Sequence, residues 1–398
     1  MFKNVPDGWR VEKLGDITIT VRNGINIEQF DTGLIPISRI ETISYEEVDF
    51  KRVKYVKEIS NENLQKYLIH YGDILFSHIN SPTHIGKTAI YKNNKQIIHG
   101  ANLLLIRIKD ENPHFINYFF KKIKEYNYFY TRCNKSVNQA SIRQSEILKI
   151  FIPIPPLQQQ KKIVKVLDIS SALIEKQKEL LAKYDLFLKS KFIEMFGSIK
   201  NNPYNFNIEP LSKFGKIITG NTPPRKELEN YDDDFIEWVK TDNISPNKLY
   251  VSTAKEYLSK LGMSKGRVLE KDGLLITCIA GSVKSIANVA MTNRKITFNQ
   301  QINAIQPNKD INPLYLYWLI KLNKNYILTF ATSSMKKMIT KGVFQEIPFI
   351  KAPIDLQNEF SAIALKIETI KTKEIQKLEH LETLHSSLMD KAFRGEIQ

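Results

Sequence analysis

Cysteine is nearly absent from this sequence: Cys133 and Cys278 are the only two among 398 residues. Two isolated thiols cannot build a disulfide framework or a cysteine zinc cluster, and they fit a reducing cytoplasm. The chain also has no run of about 18 uncharged apolar residues, and its N-terminal segment lacks the apolar core of a secretory signal. We therefore expect a cytoplasmic protein that does not span a membrane.

Recognisable catalytic and metal-binding motifs are missing as well. The stretch Gly86-Lys87-Thr88 resembles the end of a phosphate-binding loop, but Ser81 stands where such a loop requires its first glycine, so we interpret it as a polar loop. The segment "NNPYNF" lacks the second proline of the Asn-Pro-Pro-Tyr motif of amino-methyltransferases and fits a linker. The seven histidines show no shared ligand spacing. We predict no catalytic residue, no metal site and no cofactor in this chain.

Positive charge, in contrast, is in excess. Lys and Arg number 58 against 42 Asp and Glu, so the net charge is +16. Such an excess attracts polyanions, and nucleic acid is the leading class of partner. The alternative is that the charge reflects only the composition of a lysine-rich proteome. With 398 residues, 42% of them hydrophobic, the chain has the material for two or more globular domains.

The sequence contains an internal repeat with an offset of about 200 residues. Four blocks recur in the same order, at residues 9–14 and 206–211, 72–77 and 272–277, 112–124 and 312–324, and 151–168 and 349–366. Each half begins with strand and turn patterns, continues through two apolar strands and then carries a short aromatic helix. The helix residues predicted to lie in a core are Phe115, Tyr118 and Phe119 in the first half and Tyr315, Trp318 and Leu319 in the second.

Each half ends in a proline turn followed by a long amphipathic helix. The first is predicted from Leu157 to Phe196, with Gly197 as its stop, and the second from near Leu356 to a stop before Gly395. The stripe of the first helix comprises Ile163, Leu167, Ile174, Leu181, Tyr184, Leu188 and Met195, with polar Ser170 and Gln177 at seam positions. The stripe of the second comprises Phe360, Ile363, Ile367, Ile370, Ile375, Leu378, Leu381, Leu384 and Leu388. A small domain cannot bury so long a stripe, so we predict that the helices pack on each other; the alternative is two separate helices, each along its own domain.

The positive charge is not on these helices. Residues 157–197 and 355–398 carry +1 between them, which leaves +15 on the two globular halves. We therefore expect a polyanion to meet the halves rather than the helices.

Several of these segments resemble the DNA-specificity subunits of Type I restriction-modification systems. The residues that carry the resemblance are "IPIPPLQQQKKIVKVLD" with the helix after it, "TGNTPPRK", "GLLIT", "FNQQINAI" and the terminal "LMDKAFRGEI". The resemblance spans essentially the whole chain. The halves differ where the first has "VRNGINIEQ" and the second "TGNTPPRKE", as expected of domains that read different bases. The second proline turn, "KAPIDLQNE", lacks the double proline, which affects only its expected local geometry.

The resemblance implies an α+β fold with two tandem, pseudo-two-fold related α/β target-recognition domains, separated by two long helices that form an antiparallel coiled coil. The predicted segments are recognition domain 1 at residues 1–152, the central helical spacer at 153–198, recognition domain 2 at 199–351 and the C-terminal helical spacer at 352–398. Each domain would read one part of a bipartite double-stranded DNA sequence. Two methylation subunits that carry AdoMet would bind this subunit, and two ATP-driven restriction subunits can join them. Catalysis would belong to those partners.

The residues predicted to contact DNA are polar and basic side chains in loops, because Arg, Lys, Asn and Gln read base edges and Lys, Arg, Ser and Thr bind phosphates. The segments "RCNKSVNQASIRQ" and "SSMKKMITK" are the strongest candidates, since they align between the halves and precede the proline turns. The candidates are Arg22, Arg39, Asn80, Lys87, Asn134, Lys135, Asn138, Gln139, Arg143, Asn221, Arg225, Lys226, Lys240, Lys284, Ser285, Lys336, Lys337 and Lys341.

Two other functions remain compatible with the sequence. A self-sufficient DNA methyltransferase or nuclease with an unrecognised active site would form product when supplied with AdoMet or Mg²⁺. A protein-binding coiled-coil adaptor, whose charge is only compositional, would bind no duplex DNA.

Overall fold

The computed structural model describes residues 5–43, 47–199, 201–280, 282–332 and 337–397. The chain divides into two compact units, Met1–Lys176 with Leu378–Gln398 and Gln177–Lys377. Each unit therefore combines one half of the repeat with parts of both long helices. The four-part division along the chain stays a prediction. Within the described residues, no helix is both long enough and apolar enough to cross a bilayer.

The first unit is built mainly from short strands. Its elements before the long helix are β1 (Arg10–Lys13), β2 (Thr18–Asn23), β3 (Ile35–Ile37), β4 (Lys54–Val56), α1 (Asn61–Tyr67), β5 (Ile74–Phe76), β6 (Ile79–Asn80), β7 (Thr88–Ile90), β8 (Leu104–Ile108), α2 (Pro113–Glu125), α3 (Tyr128–Arg132), β9 (Asn134–Lys135), β10 (Ala140–Ser141), α4 (Gln144–Leu148) and β11 (Phe151–Ile154). The long helix α5 (Leu157–Phe196) follows.

An antiparallel four-stranded sheet with the order β2-β8-β5-β7 forms the centre of the first unit. Strand β5 is fully buried, as its unbroken apolar sequence predicts. Helix α2 contributes a row of aromatic side chains to the same core. Phe115, Tyr118 and Phe119 are at most 6% exposed, which confirms their predicted core position.

The second unit repeats this plan with an enlarged second sheet. Its elements are β12 (Asn207–Pro210), β13 (Gly215–Thr219), β14 (Ile236–Val239), β15 (Tyr257–Leu258), α6 (Lys260–Lys265), β16 (Val268–Leu269), β17 (Leu274–Thr277), β18 (Val289–Met291), β19 (Ile296–Phe298), β20 (Ile302–Pro307), α7 (Pro313–Leu322), α8 (Lys324–Leu328), α9 (Lys341–Glu346), β21 (Pro348–Lys351) and α10 (Ile354–Phe393).

The strand orders confirm the internal repeat. The sheet β13-β20-β17-β18 has the same antiparallel order as the sheet of the first unit, and β12 pairs with β21 as β1 pairs with β11. The predicted core residues Tyr315, Trp318 and Leu319 on α7 are at most 2% exposed. The sheet β15-β14-β19-β16 is reduced in the first unit to β3-β4 and isolated bridges to Ile98.

Both long helices contain 40 residues and end at glycines with left-handed backbone conformations. Gly197 has φ of 72° and Gly395 has φ of 77°, a geometry that stops a helix and that glycine adopts without a steric cost. The second helix begins at Ile354 rather than near Leu356. The reason is that the carbonyl of Pro353 already accepts the N–H of Gln357, at 3.1 Å.

In the first unit the start of α5 packs against the end of α10. The amide of Gln159 donates to the carbonyl of Ile397 at 2.9 Å, and the hydroxyl of Ser170 lies 2.8 Å from Nδ1 of His385. The residue number of the contacting partner falls as the residue number along α5 rises. The two segments are therefore antiparallel.

In the second unit the end of α5 packs against the start of α10 with the same polarity. The amide of Gln177 donates to the carbonyl of Glu374 at 3.0 Å, and further along α5 the ring of Phe192 lies 5.1 Å from that of Phe360. Here too the partner's residue number falls as the residue number along α5 rises. The predicted antiparallel pairing of the helices is thus confirmed, and the alternative of two separate helices is wrong.

The apolar stripe predicted for α10 is wrong at three positions. Ile370, Ile375 and Leu384 are 40%, 39% and 51% exposed. Lys371 occupies the buried position next to the irregular step of the stripe, where its ammonium group pairs with Asp185 at 2.7 Å. A buried charge needs such a partner, so this part of the seam is polar.

A buried glutamine explains why the proline turn occurs twice. The side-chain oxygen of Gln160 accepts the backbone N–H of Asn112 at 2.9 Å, and its nitrogen donates to the carbonyl of Pro155 at 2.8 Å. Gln357 makes the same pair of bonds with Asn312, at 2.8 Å, and with Ala352, at 2.7 Å. Each glutamine therefore joins the start of a long helix to the N-cap of the aromatic helix.

Candidate nucleic-acid interface

Polar segments of the first unit converge at one edge of its central sheet. Asn23 at the end of β2 and Phe76 at the end of β5 both lie opposite Leu104 of β8. The chain that follows β5 forms β6, which belongs to a small sheet with the order β6-β10-β9. The edge thus carries the loops that follow β2 and β5.

The small sheet brings together several of the predicted contact residues. Ala140 of β10 lies opposite Asn80 on one side and opposite Lys135 on the other. The loop between β9 and β10 is closed by a hydrogen bond from the N–H of Ser136 to the carbonyl of Gln139, at 2.7 Å. The predicted residues Asn134, Lys135, Asn138 and Gln139 are exposed on this hairpin.

Lys135 has a defined position on the hairpin. Its ammonium group lies 3.6 Å from the centroid of the Tyr130 ring, which also is exposed. A cation over an aromatic face keeps its charge and loses some of its freedom. This arrangement suits contact with a phosphate.

The other predicted residues of the first half are spread over separate elements. Arg39 pairs with Glu41 at 3.5 Å, and Arg143 is exposed at the N-cap of α4. Lys87 is half-buried at the end of the turn that leads into β7, so this segment is a loop and not the strand-to-helix turn of a phosphate-binding loop. Arg22 is half-buried on β2, with its carbonyl 3.3 Å from Nε2 of His99.

Two histidines near this edge are buried and neutral. Burial lowers the pKa of His78 and that of His99 to about 4. At pH 7 their rings therefore carry no charge. His84, in contrast, is exposed. The pattern of single histidines in the sequence gave no sign that His99 would be buried.

The second unit has an equivalent edge. The N–H of Ile339 donates to the carbonyl of Cys278 at 3.1 Å, as the N–H of Ile142 donates to that of His78 at 2.9 Å. An antiparallel bridge between Ile279 and Met338 takes the place of the pairing between β6 and β10. Lys337 and Lys341 are exposed beside this bridge. Lys336 lies outside the described residues.

Arg225 and Lys240 form one cluster in the second unit. Both bind the carboxylate of Glu256, Arg225 at 2.7 Å. Both also lie over the indole ring of Trp238, at 4.7 Å and 4.8 Å from its centroid. The hydrogen bond from Lys240, with a further contribution from Arg225, holds the pKa of Glu256 below its ordinary value. Two cations and one carboxylate, packed on the indole ring of Trp238, thus form a cluster with net charge +1. The sequence did not reveal this cluster because Glu256 is distant from both cations in the chain.

The remaining predicted residues lie around this edge in different environments. The amide of Asn221 donates to the carbonyl of Lys265 at 2.8 Å, so this side chain has a structural partner. Lys226 and Lys284 are exposed, and Ser285 is half-buried. The structure therefore gathers Asn80, Asn134, Lys135, Asn138 and Gln139 in one unit and Arg225 with Lys240 in the other.

Three comparisons with known proteins give one family. The family model described as "Type I restriction modification DNA specificity domain" matches residues 6–183 and again residues 203–382. The chain is 30% identical, over 99% of its own length and 95% of the relative's, to a Methanocaldococcus jannaschii protein assigned as the MjaX type I restriction enzyme specificity subunit.

Solved structures share the fold of the whole chain. The S subunit of a Type-I restriction-modification system from M. genitalium matches with a TM-score of 0.59 and 14% identity, covering 99% of this chain and 97% of that one. A chain from a structural study of complex assembly and conformational transition in the type I R-M system matches with a TM-score of 0.56 and 15% identity, covering 98% and 99%.

Proposed function

Because this chain belongs to the DNA-specificity subunits of type I restriction-modification systems, we propose that each of its two units reads one part of a bipartite DNA sequence. The observation that carries the proposal is the repeat itself. Two sheets of the same strand order are each attached to an antiparallel helix pair. A protein that reads two half-sites needs two such modules in one chain.

The charge distribution supports contact between the two units and duplex DNA. The halves carry +15, and the exposed hairpin and the Arg225 cluster place cations, amides and aromatic rings at the sheet edges. Cations supply phosphate affinity, and amides and guanidinium groups can read base edges. We propose the eighteen residues predicted from the sequence as the pool from which the DNA contacts are drawn.

We assign the chemistry to partner subunits. In this proposal two methylation subunits, which carry AdoMet, bind this chain through the helical spacers, and two restriction subunits can join the complex. Helices α5 and α10 expose apolar side chains beyond those that pair them, among them Ile169, Leu173, Leu186 and Leu365. Exposed apolar residues on a rigid helix are available for a protein partner.

The chain itself acts as a reader and not as a catalyst in this proposal. The Cys278 thiol supports that role: burial raises its pKa to about 12, so this thiol stays protonated at neutral pH and is a poor nucleophile. We place the complex in the cytoplasm, in keeping with a chain of two isolated cysteines.

The test is a methylation assay with and without partners. The purified full chain, incubated with duplex DNA and AdoMet or Mg²⁺, is expected to yield no modified or cleaved product. The complex of this chain with its methylation subunits is expected to methylate both parts of a split sequence. Product from the isolated chain would instead support the methyltransferase or nuclease alternative.

A further inference from the structure

The loop that carries Arg225 is unusually well fixed for an exposed segment. Two prolines at positions 223 and 224 restrict its backbone. Three of its carbonyls accept hydrogen bonds from side chains of the second unit: Asn221 O from Trp238 Nε1 at 3.3 Å, Pro223 O from Tyr231 Oη at 2.6 Å and Pro224 O from Asn230 Nδ2 at 3.1 Å. The base of the Arg225 side chain therefore has a defined position.

The guanidinium group is fixed as well. It lies 4.6 Å from the centroid of the Tyr231 ring and 4.7 Å from that of Trp238, and one N–H of Nη2 donates to Glu256 at 2.7 Å. The side chain is nevertheless 52% exposed. Arginine has five N–H donors, and in the described part of the chain Glu256 is the acceptor that this guanidinium binds, so other donors are available for a ligand.

Two convergent N–H groups on a rigid, exposed guanidinium match the two acceptors O6 and N7 that guanine presents in the major groove. An arginine held in advance loses less entropy on binding than a free one. Resting on the proposed function, we propose that Arg225 reads a guanine in the half-site of the second unit and that Glu256 is the residue that positions it.

Glu256 is a positioning residue in this account, because its negative charge disfavours direct contact with DNA phosphates. Its carboxylate offsets one of the two positive charges of Arg225 and Lys240. The carboxylate therefore lowers non-specific attraction to DNA while it orients the reading group. If Glu256 had only a structural role, replacing it would not weaken the preference for one base pair while strengthening non-specific binding to DNA.

Lys226 provides a matched comparison. It is the next residue after Arg225, it is exposed, and it forms no hydrogen bond, ion pair or ring contact within the described part of the chain. A flexible lysine binds phosphate as a point charge and carries little information about the base. Lys226 should therefore affect affinity and salt dependence but not sequence preference.

The experiment is selection from a library of random DNA duplexes by the full chain, assembled with its methylation subunits, followed by sequencing. The wild-type complex is expected to select a bipartite motif. Arg225→Lys, which keeps the charge, should lose roughly 10- to 100-fold of the preference at one G·C position in one half of that motif and leave the other half unchanged. Glu256→Gln should weaken the preference at the same position while binding to random duplex becomes stronger. Lys226→Ala should leave the motif intact.

Three outcomes would overturn the inference. If Arg225→Lys selects the wild-type motif, Arg225 does not read a base, although the proposed function stands. If Glu256→Gln weakens all positions equally and lowers the thermal midpoint, the carboxylate is only structural. If the wild-type complex selects no motif, the proposed function fails and this inference fails with it.

Discussion

The side chain of Gln160 accepts a hydrogen bond from the backbone N–H of Asn112 at 2.9 Å. Asn112 is the N-cap of α2, and its own side chain caps the first turn of that helix. Gln357 and Asn312 repeat the arrangement at the start of α7. Both glutamines are fully buried. Each recognition half is therefore fastened to its long helix by the same polar contact.

Replacing either glutamine by leucine should destabilise its own unit. Gln160→Leu leaves the N–H of Asn112 and the carbonyl of Pro155 without partners, which costs about 1–3 kcal/mol for each buried group. The expected loss is about 2 kcal/mol or more in the free energy of unfolding, measured by urea denaturation with hydrogen exchange to locate it. Gln357→Leu should have the same effect on the second unit. Gln158→Leu, at an exposed position, is the control and should change little.

Removing the carboxylate of Asp390 should loosen α10 from α2. Asp390 pairs with the buried ammonium of Lys122 at 2.9 Å and accepts from Tyr126 at 2.7 Å. We expect Asp390→Ala to cost about 2 kcal/mol, because hydrogen bonds to charged groups contribute about 1.5–3 kcal/mol. Thermal unfolding of the full chain measures the effect. Lys391→Ala, one residue further on and exposed, should leave the midpoint unchanged, and equal effects of the two variants would contradict the role of the ion pair.

The first unit should lose stability in mild acid. The pKa values of His78 and His99 are about 4 in the folded chain, below the ordinary value of 6.5. Between these two values the unfolded chain therefore binds more protons than the folded chain, so the free energy of unfolding falls as the pH drops from about 6.5 to about 4. Below that range these two histidines cause no further change in stability. Hydrogen exchange of β2 and β8 at pH 7 and pH 5 detects the change. His99→Gln should reduce this pH dependence, whereas His84→Ala should retain it.

The double variant Lys336→Ala with Lys337→Ala should weaken DNA binding and reduce its salt dependence. Each lost phosphate contact lowers the slope of log affinity against log salt by about 0.9. Binding of the assembled complex to a fixed duplex at several salt concentrations measures this slope. Lys183→Ala with Lys189→Ala removes the same charge from exposed positions on α5 and should not alter the slope. Equal slopes for both double variants and the wild type would exclude the Lys336–Lys337 segment from the interface.

The sequence predicts the elements whose signals are local or repeated. The two helix ends at Gly197 and Gly395, the aromatic cores and the packing of the long helices on each other follow from periodicity and from the internal repeat, whereas the antiparallel direction follows from the family resemblance. The structure confirms them. The prediction of the apolar stripe of α10 was wrong at three positions, because periodicity cannot detect that Lys371 is buried where Asp185 neutralises its charge. Contacts that join distant residues, such as those of Gln160 and Glu256, leave no local signal in a single sequence.

Whether each unit reads its own half-site is tested with a chain in which residues 207–351 replace residues 10–154, so that both recognition modules are copies of the second. The first unit contains the start of α5 and the end of α10, and the second unit contains the end of α5 and the start of α10. We therefore expect selection from random duplexes to yield two copies of one half-site in opposite orientation. A motif that retains the original first half-site, or that repeats the second in the same orientation, would contradict it.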